Sequence, residues 1–130
     1  MQNRLYTQAV EMVNVSRVAV ATKRRRKVDV RAERLELWRY AQQERDASRA
    51  ARDAVDDAMC SRFLDGQFMG YEAAMESVKK AHDLVDQLSW LIARKSRDNA
   101  LRQKCGLFVD WDYSAGYERA LTDIMEKVLA

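Results

Sequence analysis

The chain contains no proline, and its only glycines are Gly66, Gly70, Gly106 and Gly116. Proline removes a backbone donor and clashes with the preceding turn, while glycine raises the entropic cost of ordering a helix. Their scarcity predicts long helices joined by few turns. The charged fraction of 33%, supplied around abundant alanine and leucine, suits a helical bundle or coiled coil better than a sheet protein. A chain of 130 residues is long enough for one hydrophobic core but not two. The expectation is a mainly α protein, a single helical domain over 1–130 built as a bundle of about four helices.

Hydrophobic periodicity places those helices. From about Asn3 to Ala21, apolar residues such as Leu5, Ala9 and Met12 recur at spacings of three and four, which is a helical pattern. A competing reading exists near residues 13–30. Val13, Val15, Val18 and Val20, then Val28 and Val30, alternate in places, so a β-hairpin with a basic tip is the alternative. Its turn lacks glycine, asparagine and aspartate, the residues that hairpin turns favour.

From about Val28 to Leu64 the pattern reads as one long alanine-rich helix, with Ala47, Ala51, Ala54 and Ala58 along one seam. Small side chains let a neighbouring helix approach closely. Unbroken, this helix would extend about 55 Å at roughly 1.5 Å per residue, longer than a domain of this size is wide. Pairing with a second copy through the alanine seam resolves the mismatch, so a homodimer is expected. Gly66 and Gly70 read as bracketing a turn. A stripe of Met75, Val78, His82, Val85, Leu88 and Ile92 then marks a third segment from Tyr71. Gly106 is placed to end it in the left-handed conformation. A closing helix from about Ser114, the expected N-cap, to Leu129 buries Tyr117, Ala120, Leu121, Ile124 and Val128.

One internal echo accompanies these segments. Phe63-Leu64-Asp65-Gly66-Gln67-Phe68 precedes Gly70-Tyr71-Glu72, and Phe108-Val109-Asp110-Trp111-Asp112-Tyr113 precedes Gly116-Tyr117-Glu118. Each reads as a loop of aromatics covering a helix that opens on Gly-Tyr-Glu. The Gly-Tyr-Glu-x-Ala-Leu start of the closing helix resembles the ends of many small bacteriophage proteins, over less than a tenth of the chain. That resemblance implies a phage or mobile-element origin and no activity.

Catalytic chemistry has few residues to draw on. The chain has one histidine, His82, and two cysteines, Cys60 and Cys105, without paired spacing; a tetrahedral metal site needs three or four converging ligands. His82-Asp83 resembles the signature of the HD phosphohydrolases, whose site needs several histidines. Glu33 and Glu36, with Asp53 and Asp56, resemble the paired carboxylates of the MazG-type pyrophosphohydrolases, which hold magnesium between facing helices. On one continuous helix these pairs would lie roughly 25 Å apart, too far to share an ion. No glycine-rich phosphate loop precedes Gly66. The expectation is a protein that is not an enzyme and takes no cofactor or metal.

Binding signals remain. Lys23, Arg24, Arg25, Arg26 and Lys27 form an unbroken basic run, followed by Arg31 and Arg34, within a net charge of only +3. Such a cluster can contact the phosphates of DNA or RNA without reading sequence, or meet an acidic protein surface. Trp38, Trp111 and Tyr113 are candidate interface aromatics, because tryptophan, tyrosine and arginine anchor many interfaces. No apolar run approaches the roughly 20 residues of a membrane span, and a cytoplasmic location is expected. The expected role is a small non-enzymatic interaction protein that docks on a larger protein or a protein–nucleic-acid complex, inhibiting a defence or regulatory assembly. One alternative is a nucleic-acid-binding accessory protein that uses the basic run; the other, which only the MazG-type resemblance implies, is a magnesium-dependent nucleotide pyrophosphohydrolase.

Overall fold

The computed structural model describes residues 30–130. The basic run at 23–27, the segment from Asn3 to Ala21 and, apart from Val30, the hairpin alternative lie outside the described residues. Four helices follow in order: α1 (Val30–Asp53), α2 (Ala58–Lys80), α3 (Leu84–Lys104) and α4 (Trp111–Leu129). No strand occurs among the described residues, in agreement with a mainly α bundle.

Aspartates, not glycines, start three of these helices. Asp57 accepts hydrogen bonds from the Met59 and Cys60 amides at 2.8 and 3.2 Å. Asp83 accepts from the Asp86 amide at 3.1 Å and Asp110 from the Tyr113 amide at 3.0 Å. Each satisfies donors that have no partner inside the helix. The long helix expected from Val28 to Leu64 is therefore two helices. It ends at Asp53, turns through Ala54 and Val55, and restarts behind Asp57. The alanine seam is broken with it. Ala47 and Ala51 lie on α1, Ala54 lies in the turn, and Ala58 opens α2; all four are exposed. The length argument for a homodimer lapses, because the chain folds back on itself.

The third segment is also divided. Ala81, His82 and Asp83 separate α2 from α3, and His82 is exposed and not part of an apolar stripe. Ser114 is not the N-cap of the last helix. Asp110 takes that role, and Ser114 sits inside α4, buried, where its Oγ accepts a 2.9 Å hydrogen bond from Asn99 Nδ2 on α3. The end of α3 agrees with expectation. Gly106 has φ +72°, its amide donates to the Gln103 carbonyl, and the Leu107 amide donates to the Arg102 carbonyl. This is the two-bond Schellman arrangement that closes a helix C-terminus.

Gly66 and Gly70 do not mark a turn. Both lie inside α2, buried against α4, and Gly116 answers them from inside α4. A Cβ at Gly66 would collide with the Tyr113 carbonyl, and one at Gly116 with the Phe63 carbonyl. At Gly70 it would meet the Tyr117 carbonyl at 2.6 Å and Ala120 Cβ at 2.7 Å. The two Gly-Tyr-Glu copies are thus mid-helix, and their glycines let two backbones cross at close range. Matched positions rise together along α2 and α4, so these helices run parallel. Arg45–Glu72 and Arg52–Asp65 ion pairs set α1 antiparallel to α2. The Asn99–Ser114 and Ser96–Glu118 hydrogen bonds set α3 antiparallel to α4.

The core fills the space between the helices with Val85, Leu88, Leu121, Ile124 and Met125, all fully buried, and with the buried alanines Ala41, Ala74 and Ala120. Asp123 is the polar centre of this packing. Its Oδ2 accepts from Tyr40 on α1 at 2.7 Å and from Tyr71 on α2 at 2.6 Å, tying three helices to one carboxylate. Burial and the hydrogen bond to Asp123 push both phenols well above the ordinary tyrosine range.

Candidate partner-binding surface

The pairings just described bring one end of the bundle together. Phe63 beside Gly116 sets the start of α2 next to the start of α4, and Asn99 beside Ser114 sets the last turns of α3 there too. Five of the eight large hydrophobics exposed among the described residues collect at this end: Met59, Leu101, Leu107, Phe108 and Trp111. Phe108 is 71% exposed and Trp111 50%. Their positions follow from the local hydrogen bonding. The Schellman turn at Gly106 fixes where Leu107 and Phe108 leave α3, and the Asp110 cap makes Trp111 the first residue of α4. Leu107 and Leu101 occupy the positions that normally close on each other in this turn, yet each remains more than half exposed. Both cysteines, Cys60 and Cys105, are free and exposed at the same end.

A second surface runs along α3. Trp90, Arg94, Arg97, Leu101 and Lys104 recur at spacings of three and four, so they share one helix face. All five are exposed, while Leu88, Ile92 and Asn99 are buried. The Arg94 guanidinium lies 5.2 Å from the Trp90 ring centroid. Lys95, on the flank, reaches the Tyr113 and Tyr117 rings at 5.1 and 5.7 Å. Between Arg94 and Lys104 the sequence holds five cations against one carboxylate, Asp98. The ion pairs formed among the described residues lie on α1 and α2 and involve none of these five.

The residues singled out in the sequence are dispersed. Lys23 to Lys27 lie outside the described residues, and Arg31 falls in the first turn of α1. Arg34 does not face outward as a phosphate contact. Its guanidinium donates to the Val78 carbonyl at 3.0 Å and the His82 carbonyl at 3.3 Å, closing the C-terminus of α2, where a cation also suits the helix dipole. Trp38 packs against the core with Lys79 5.7 Å above its ring. Tyr113 is partly buried under Lys95, and burial raises its pKa. Trp111 alone of the three aromatics reaches the exposed end.

Leu101 and the α3 stripe escaped the sequence reading because apolar periodicity fades after Arg94, while Phe108, read there as covering the closing helix, is largely exposed. That fade was itself the signal: the helix continues, but with solvent on most sides.

The carboxylate pairs do not converge. Glu36 and Asp53 stay on one unbroken helix, about 25 Å apart at roughly 1.5 Å per residue. No group of three or more His, Cys, Asp or Glu side chains that could hold a metal ion occurs among the described residues. A cleft of about 370 Å³ between the start of α1 and the end of α4 is lined by Glu33, Glu36, Leu37, Tyr40, Lys127, Val128 and Ala130. The Tyr40 hydroxyl there is already committed to Asp123. On α4, burial raises the pKa of Glu118, opposed by a hydrogen bond from Ser96. No described helix is long and apolar enough to cross a membrane.

No protein-family model matches this chain, and no curated protein or solved structure is significantly similar to it.

Proposed function

We propose that this protein is a non-enzymatic interaction protein that docks on a larger protein through the exposed end where α3 meets α4. The observation that carries this reading is the gathering of Met59, Leu101, Leu107, Phe108 and Trp111 at one end of a helical bundle. Single exposed apolar side chains are ordinary, but a cluster at one end marks a contact surface. Two further features support it. The connection is held by the Gly106 turn and the Asp110 cap, so the rings are presented with little ordering cost on binding. Polar and charged residues, among them Arg62, Arg102 and Asp112, surround the cluster in sequence and on the flanking turns, as in the rim of a protein interface.

The test is site-specific photocrosslinking in the native cells. A benzophenone amino acid replaces Phe108 in one variant and Glu126, at the far end of α4, in another. A discrete crosslinked protein from position 108 that is absent from position 126 is the expected result, followed by binding of that purified partner to the native chain. Equal, diffuse crosslinking from both positions would remove this reading.

A further inference from the structure

We infer that the outer face of α3, Trp90-Arg94-Arg97-Leu101-Lys104, is a contact surface for single-stranded nucleic acid. This goes beyond the protein-docking reading and rests on separate residues, Leu101 excepted.

Three observations converge on it. First, the face is a continuous stripe. From Trp90 to Lys104 it extends about 21 Å at roughly 1.5 Å per residue, enough to follow several phosphates of one strand. Second, its cations form no ion pair among the described residues. Arg94, Arg97 and Lys104 stand on the stripe, with Lys95 and Arg102 on its flank, against Asp98 as the single carboxylate of that stretch. Glu118, on α4 beside this helix, accepts from Ser96 and forms no ion pair with these cations. Third, the stripe begins on a ring. Trp90 is 53% exposed and already carries the Arg94 guanidinium over its indole.

A planar ring beside several cations is the pairing that single strands use. Bases stack on the ring whatever their identity, and the cations take the phosphates. A duplex keeps its bases inside and offers the ring nothing. An acidic protein surface would engage the cations but would not require the indole. Charge complementarity and the exposed ring together therefore favour an unpaired strand.

The experiment is fluorescence anisotropy with labelled single-stranded DNA, single-stranded RNA and duplex DNA over a salt series, with polyglutamate as competitor. Four proteins are compared: the native chain, Trp90→Ala, Arg94→Gln/Arg97→Gln, and a chain with Lys23 to Lys27 changed to glutamine. Circular dichroism checks that each is folded, which the exposure of Trp90, Arg94 and Arg97 leads us to expect for the α3 variants.

The native chain is expected to bind single strands more tightly than duplex. Trp90→Ala should weaken that binding about tenfold without changing its salt slope. The double arginine variant should flatten the log–log salt slope by about 1.4, which is two contacts at roughly 0.7 each. DNA and RNA arms differing in affinity would name the preferred strand. The inference is overturned by no binding at low salt, by equal duplex binding that Trp90→Ala leaves unchanged, or by polyglutamate competing as well as a single strand. Loss of binding only in the 23–27 variant would also overturn it, since the contact would then lie on that run.

Discussion

Asp123 joins three helices through two phenols, and few single atoms in the described chain hold as much. Tyr71 is almost wholly buried, and its hydroxyl lies 2.6 Å from Asp123 Oδ2. Removing that hydroxyl leaves the carboxylate with one tyrosine partner in place of two. Tyr71→Phe is expected to lower stability at pH 7 by about 1.5–3 kcal/mol, the range for hydrogen bonds to charged groups, read from urea unfolding. The pH dependence has a definite sign. The folded phenol ionises above its unfolded value near 10, so its stabilising contribution is complete below pH 10 and is lost as pH rises beyond it. The native chain should therefore weaken more than the variant as pH rises above 10, and the gap between them should narrow.

The glycines of the α2–α4 crossing make an opposite case. In an exposed helix, replacing glycine by alanine stabilises by about 1 kcal/mol. At Gly116 the new methyl group would strike the Phe63 carbonyl, a backbone atom that cannot swing aside. Overpacking of this kind costs about 1–3 kcal/mol or more. Gly116→Ala is expected to lower the melting temperature despite its better helix propensity. A rise would show that α2 and α4 do not approach each other as closely as described.

At the scale of elements, the sequence made helix content legible and helix boundaries much less so. The absence of proline and the three-and-four spacing of apolar residues led directly to a helical bundle. The left-handed Gly106 was legible because its place after a fading pattern is where helices end. Gly66 and Gly70 misled because glycine has two uses, freedom of backbone and absence of side chain, and spacing alone did not separate them. Their four-residue interval, answered by Gly116 and Ala120, was the available clue to a helix crossing. The breaks at Asp57 and Asp83 were missed because an aspartate among charged residues reads as surface until its capping bond is seen.

Arg34 shows the same difficulty for function. In sequence it extends a basic run; in the fold it closes α2 by donating to Val78 and His82. Arg34→Ala is expected to cost about 1 kcal/mol of stability, as loss of a cap does, and to leave any salt-dependent nucleic-acid binding unchanged. A flattened salt slope without destabilisation would return Arg34 to the contact surface.

At the scale of the molecule, the described bundle uses its polar residues unevenly. α1 and α2 are laced together by Arg45–Glu72, Arg52–Asp65 and the two arginines beside Phe68. The outer half of α3 and its connection to α4 carry cations and rings that the fold leaves outside. A composition with a net charge of +3 conceals this asymmetry, which only the helix register reveals. That end, and not the aromatics as a class, therefore offers the binding surface.

The most direct test needs no partner. If Phe108 and Trp111 are kept for a binding partner and not to lid the bundle, the fold should not need them. Phe108→Ser/Trp111→Ser is predicted to melt within about 5 °C of the native chain, because Phe108 keeps 71% and Trp111 50% of its surface in water after folding. A fall of more than about 5 °C, on the order of 1 kcal/mol for a domain of this size, would show that the two rings hold the bundle together, and would contradict the assignment of this end as a docking surface.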